Sequence, residues 1–349
     1  MCQRQGLNVS SIKYQVSSMN PWTYLGFVVN YIARIIEGIR VGLTLKLDDS
    51  PNTIIYSASE FWMDCLPAVI LKIKYPKIKW VAGWYQTAPK PWIGYTEGER
   101  VNKYNLSAFL YWVVQQPIKP LISHFADFVL VNNENEKEQF PRLNKQGRAI
   151  VVLGAVDIKK IGNWKLEIGN LPKVYDAVFQ GRFHPQKGVV ELIDIWKMIV
   201  KERPDAKLVM IGDGPLMKNV KFQISNLKLD KNIILAGYLF DGEEKYRIFA
   251  QSKIVVHPAF YDSGGMAAGE AMAFGLPCVG FNLSSYKYYY PKGMEKVKVG
   301  DLDSFADKIL QLLSQESLYK KMSKEAKQLI NYKWSWEYRS LEILNQVIK

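Results

Sequence analysis

Short apolar runs rich in β-formers recur along this chain, with helical patterns between most of them, and that alternation restricts the fold more than any other feature. The runs cover residues 53–57, 79–83, 128–132, 150–154, 177–181, 207–212, 232–237, 254–257 and 277–281. Helical periodicity marks 61–73, 106–124 and 189–202, and 305–313 follows the last run. A parallel strand pair needs a crossover long enough to hold a helix, and helices covering both faces leave the strands apolar almost throughout. The pattern therefore predicts an α/β protein built on parallel sheets, with ligands at the carboxyl ends of the strands. The chain has 349 residues, and at ~100–200 residues per domain that is enough for two sheets facing a cleft. We place a first domain at 1–157 and a linker without clear period at 158–172. A second domain follows at 173–330, and a C-terminal helix over 331–349 is expected to cross back to the first.

Several classes are excluded. Hydrophobic residues make up 48% and charged residues 23%, values of a folded globular chain. Cys2, Cys65 and Cys278 are too few and too scattered for a disulfide framework or a zinc site, which fits a reducing compartment. The formal net charge of +13 is spread along the chain, with no basic tail to serve as a nucleic-acid arm. A diffuse positive field suits anionic small substrates or an anionic membrane surface. Residues 1–7 lack the apolar run of a signal peptide, and 14–33 is interrupted by Gln15, Ser17, Ser18, Asn20, Pro21 and Asn30. A helix over 22–40 carries Trp22, Phe27, Tyr31 and Ile35 with Arg34 and Arg40. It packs into the core or lies on a membrane surface, aromatics at the interface and arginines on head groups.

Three loops in the second half carry the chemistry. Gly181-Arg182-Phe183-His184-Pro185-Gln186-Lys187-Gly188 leaves a strand and enters a helix. Its two cations, five residues apart, can converge on one diphosphate, the arginine as a bidentate fork and the lysine as a point charge. Gly212-Asp213-Gly214-Pro215 repeats the strand–loop–helix arrangement with two glycines that allow a close backbone approach. The third loop is the most specific. His257-Pro258 closes a strand, and Tyr261-Asp262-Ser263-Gly264-Gly265-Met266 leads into a helix of small residues that carries Glu270. Backbone N–H groups at that helix start point at an anion, and Glu270, about two turns on, can accept hydrogen bonds from a ribose diol.

This constellation resembles glycosyltransferase family 4, the group 1 nucleotide-sugar-dependent enzymes with the GT-B fold. The resemblance runs from about Ile150 onward. It includes Gly154–Asp157, the Gly-Arg…Lys-Gly loop, Gly212–Pro215, Gly237, Asp262 to Glu270 and Ser335-Trp336-Glu337. It implies two Rossmann-like domains with the donor held mainly by the second. Arg182 and Lys187 would bind the diphosphate and stabilise the departing nucleotide, and Glu270 would hold the ribose. Asp262 and the backbone at Gly264–Met266 would contact the donor sugar and phosphate, so Arg182, Lys187 and Asp262 are the expected catalytic residues. Gly181, Gly212, Gly214, Gly264, Gly265, Met266 and Glu270 complete the expected donor site. The resemblance also implies retention of anomeric configuration, with neither metal nor cofactor. The only Asp-x-Asp, Asp301-Leu302-Asp303, precedes an apolar-periodic run and reads as a helix cap by Asp301, Asp303 or Ser304. The base (uridine, guanosine or adenosine) and the acceptor, a glycan or a polyprenyl-linked sugar, stay open. The expected location is cytoplasmic, at the inner face of the membrane.

Two departures stand out. Asp262 occupies the first acid of the family's Glu-x7-Glu pattern, one methylene shorter. The family's opening strand, Gly-rich loop and helix are not found, and 6–14 reads as a later strand of the first domain. The alternative function is therefore a catalytically impaired nucleotide-sugar-binding or partner subunit of the same fold. A nucleic-acid binder rests on the net charge alone. On the acceptor side, Trp80, Trp84, Tyr85, Trp92 and Tyr95 surround one strand end, with Gln86 or Thr87 where the family often has a histidine. Trp84 and Gln86 are the candidates there, stacking on a sugar or a lipid carrier against plain core packing.

Overall fold

In the computed structural model, residues 24–88, 90–92, 106–152, 154–168 and 171–348 are described. The strand expected at 6–14, Trp22 and Tyr95 lie outside them. The chain divides into two compact units. One holds the described residues up to Val152 together with those from Ser340 on, and the other runs through Arg339.

The first unit is a parallel sheet of β1 (Ile54–Ser57), β2 (Lys79–Trp84), β3 (Phe128–Val131) and β4 (Ala149–Val151), in that order. Alternate side chains of each strand face opposite sides. Trp80, Ala82, Trp84, Val129 and Val131 pack with Cys65, Val69, Ile118 and Ile122 from the helices Trp62–Lys74 and Leu106–Phe125. Val81, Leu130 and Ile150 face the other way and are met by Val347 and Ile343 of the last helix, Trp336–Val347. Lys79 Nζ ties that helix down through the Val347 carbonyl at 3.2 Å. The helix Tyr24–Thr44 packs against Trp62–Lys74. Its outer face leaves Val28, Ile32, Ile36 and Leu43 between 49% and 61% exposed. No described helix is long and apolar enough to cross a membrane.

The second unit is a six-stranded parallel sheet of β5 (Tyr175–Gln180), β6 (Leu208–Ile211), β7 (Ile233–Gly237), β8 (Ser252–His257), β9 (Cys278–Phe281) and β10 (Met294–Val297). Its order is β10-β9-β8-β5-β6-β7, so β5 and β8 are central neighbours, and chain direction across the sheet reverses between them. Ala177 and Phe179 contribute to one core face and Val178 to the other, as pleating requires. Strand β10 escaped the sequence reading because Glu295 and Lys296 sit in its middle, a composition suited to an edge.

Residues 158–172, read above as aperiodic, begin with a helix, Ile158–Ile168. Ile158, Ile161 and Trp164 recur every three residues on one face, and that face packs on the second unit's core. Trp164 meets Tyr246 edge-on at 6.0 Å.

Candidate donor site of the second unit

The adjacency of β5 and β8 brings the loops that leave them into contact. Gly188 ends the loop after β5 with φ +65°, and a Cβ there would overlap the Pro258 carbonyl of the loop after β8. Gly212, after β6, has φ +143°, and a side chain there would overlap the Gly181 carbonyl. Gly214 lies against the Phe183 backbone in the same way. Of the three, Gly212 and Gly214 were expected to let backbone approach a ligand. In the structure the close approach they permit is between loops, which locks three strand ends together.

Asp262 is the hub of the loop after β8. Its side chain is 9% exposed and pairs with Lys187 Nζ across the two loops. His257 Nε2, at the end of β8, lies 3.2 Å from Oδ2. The other oxygen accepts the N–H groups of Gly264 at 3.0 Å and Gly265 at 2.7 Å. Burial alone pushes this carboxyl upward, but the Lys187 ammonium and the hydrogen bond from His257 outweigh it and hold the group well below the usual carboxylate range. The loop then turns at Gly265, φ +61°, into the helix Met266–Met272. Two of the backbone donors expected to meet an anion are thus engaged by Asp262 itself. A Cβ at Gly264 would sit 2.5 Å from the Tyr289 ring, so the small residue here is demanded by packing.

Arg182 is exposed, and its guanidinium makes no hydrogen bond or ion pair among the described residues. It and Lys187 nevertheless share a neighbourhood. The His184 imidazole between them is held below its ordinary range by burial, then by the Arg182 charge and the Lys187 charge. The two cations are therefore gathered on one loop, one tethered and one unengaged.

Glu270 faces Gln180, the last residue of β5, whose Nε2 donates to Oε2 at 3.2 Å. The same oxygen accepts from Lys245 Nζ at 2.7 Å. Lys245 comes from the helix Glu243–Ala250 and is 1% exposed, and it also pairs with Asp241. Burial lowers an ammonium's pKa, but the charges of Glu270 and Asp241 prevail and raise it. Sequence reasoning missed Lys245. The available signal was its position on the buried face of a helix, beside Tyr246 and Phe249, where the period calls for an apolar residue. His257 and Gln180 were read only as strand ends.

Asp301 caps the helix Leu302–Ser314, accepting the Ser304 N–H at 3.0 Å and the Ser304 hydroxyl at 2.8 Å. In the first unit, Trp84 is 1% exposed, with Nε1 donating to Thr87 Oγ1 at 2.7 Å and its ring edge-on to Phe140. Core packing has taken the ring that was a candidate for stacking on a sugar. Gln86 is half-buried, and its carbonyl accepts from Tyr111 at 2.9 Å and Gln115 at 2.7 Å. Among the described members of this group, Trp92, at 67% exposed, is the open aromatic.

Residues 163–329 match the family model described as glycosyl transferases group 1. N-acetyl-alpha-D-glucosaminyl L-malate synthase of Bacillus anthracis is 29% identical over 47% of this chain and 42% of its own length. UDP-Gal:alpha-D-GlcNAc-diphosphoundecaprenol alpha-1,3-galactosyltransferase of Escherichia coli is 27% identical over 47% of each. The chain thus spans less than half the length of these relatives. Among solved structures, sucrose-phosphate synthase from Thermosynechococcus elongatus superposes with a TM-score of 0.71 at 16% identity, covering 96% of this chain and 81% of that one. HepE of Anabaena, in complex with UDP and glucose, gives 0.67 at 14%, covering 95% and 84%. The fold is GT-B, two parallel-sheet α/β units.

Proposed function

Because residues 163–329 match the family model of glycosyl transferases group 1, we propose that the chain belongs to that family and moves a sugar from a nucleoside diphosphate donor to a saccharide or lipid-linked acceptor. The observation that carries this reading is the convergence at the ends of β5 and β8. Two cations stand on one loop, Asp262 ties that loop to the next, and Glu270 stands on the helix that follows.

Arg182, open to solvent, and Lys187 would take the diphosphate oxygens and offset the charge that builds on the leaving group as the glycosidic bond breaks. That charge is what a metal would otherwise neutralise, so the proposed chemistry needs none and no cofactor beyond the donor. Asp262 holds the Lys187 ammonium at the strand end, and Glu270 takes the ribose diol. Transfer proceeds with retention, the departing diphosphate accepting the acceptor hydroxyl's proton on the face where the bond breaks. UDP is the favoured nucleotide, since HepE was solved with it. The exposed apolar stripe of Tyr24–Thr44, with Arg34 and Arg40 exposed on the same helix, supports docking on an anionic membrane surface at the inner face, within reach of a polyprenyl-linked acceptor.

The test is a screen of the purified chain with UDP-, GDP- and ADP-sugars, followed for hydrolysis and for transfer. Turnover of one donor class, with retained configuration in the product, is the expected result. Tight donor binding without hydrolysis or transfer to any acceptor would overturn the catalytic reading and leave a binding subunit.

A further inference from the structure

A buried lysine is a costly device among aromatic rings, because an ammonium withdrawn from water must be repaid by partners. Lys245 is 1% exposed and lies 5.7 and 5.8 Å from the ring centroids of Tyr246 and Phe249. One partner, Asp241, is 62% exposed and four residues back on the same segment. The other, Glu270, comes from a different helix and is 26% exposed. Through that second contact, a charge hidden in the core reaches a carboxylate that opens to solvent.

The contact is selective between the two carboxylate oxygens. Oε2 accepts from Lys245 at 2.7 Å and from Gln180 at 3.2 Å. Oε1 has no partner among the described residues. Gln180 is itself half-engaged: its Oε1 is buried without a hydrogen-bond partner, so its amide is committed to the carboxylate by one end only. Two donors on one oxygen fix the carboxylate plane and leave the other oxygen for a hydroxyl pair.

We infer that Lys245 is a positioning residue for nucleotide recognition, clamping Glu270 through Oε2 so that Oε1 is presented to the ribose diol. This rests on the reading of Glu270 as the ribose acceptor, and the experiment below separates the two.

Binding of UDP and of 2′,3′-dideoxy-UDP to the full chain is measured by calorimetry. The wild type should prefer UDP by about tenfold or more, the size of a hydrogen bond to a charged group. In Lys245→Met that preference should fall to within about twofold, chiefly by weaker UDP binding. The double variant Lys245→Met/Glu270→Gln should bind UDP no more weakly than Glu270→Gln alone, because both changes remove one function. Asp241→Asn, which leaves the Glu270 contact in place, should keep the wild-type ratio. A thermal unfolding trace identifies a variant that has lost its fold. Gln180→Met then carries the test, with an expected loss of about threefold in the same ratio. A wild type indifferent to the ribose hydroxyls takes down the reading of Glu270 and the clamp with it. A wild type that discriminates, beside a folded Lys245→Met that discriminates equally, overturns the role of Lys245 alone.

Discussion

Both units steady a loop at a strand end with carboxyl groups, and they do it in opposite ways. After β2, the buried Glu60 accepts from the Tyr111 hydroxyl at 2.6 Å and from the Tyr85 N–H at 3.3 Å. Gln115 adds neutral bonds to Ala88 and Gln86. No cation faces Glu60 among the described residues. After β8, Asp262 faces Lys187 and His257, and Glu270 faces Lys245. A carboxyl satisfied by neutral donors shapes a loop and gives nothing to an incoming anion. A carboxylate matched to a lysine holds a positive charge at a chosen place, at the cost of desolvating both. The contrast supports the proposed donor site in the second unit, and it does so from charge pairing rather than from glycine spacing.

The sharpest way to break that contrast is to damage each unit at its own strand end. Trp84→Ala empties a fully buried site, and the first unit should lose about 3–5 kcal/mol of stability, read by denaturant unfolding. Nucleotide affinity of the folded fraction should not move. In the second unit, Arg182→Ala should leave unfolding unchanged and cut sugar transfer by ~10²–10³-fold, the range for a lost charge-stabilising donor. Full turnover in that variant would remove Arg182 from the leaving-group role. Glu270→Gln against Glu60→Gln sharpens the comparison at smaller scale. The first should weaken nucleotide binding by about tenfold and the second by less than about twofold, both by calorimetry.

The smallest expected effect is a pH dependence. The Asp262 carboxyl is depressed in the folded protein, so its contribution to stability is complete above the unfolded value of about 4. It is lost progressively as pH falls from there toward the folded value. Stability of the wild type should therefore decline below about pH 4 more steeply than that of Lys187→Met, in which the depression is relieved. Parallel acid profiles for the two proteins would mean that the pair does not set this titration.

Most of the strands could be read from the chain because a parallel strand flanked by helices is a largely apolar run, and nine such runs coincide with nine strands. Strand β10 broke the rule with two central charges at an edge. The helix Ile158–Ile168 was hidden because its packed face rests on three residues, Ile158, Ile161 and Trp164, separated by Lys159, Lys160, Gly162 and Asn163. Within the site, the Gly-Arg…Lys-Gly loop and the Asp262–Glu270 spacing were visible as local pattern. The partners that fix them were not: Lys245 lies 25 positions from Glu270, and Lys187 lies 75 from Asp262. Such pairings are products of sheet order, which no local window contains. Trp84 shows the converse, since an aromatic at a strand end looks the same in sequence whether it faces a sugar or the core.

The helix that covers the far side of the first sheet carries one more implication, for synthesis. Val81, Leu130 and Ile150 emerge from the ribosome long before Val347, which shields them. At typical elongation rates the roughly 200 intervening residues take on the order of 10–40 s to make. For that interval the nascent first unit shows a bare greasy surface, and the second unit can finish folding while the first still waits for its cover. Chaperone occupancy on ribosome-bound chains should peak in that window and fall when the final helix is released.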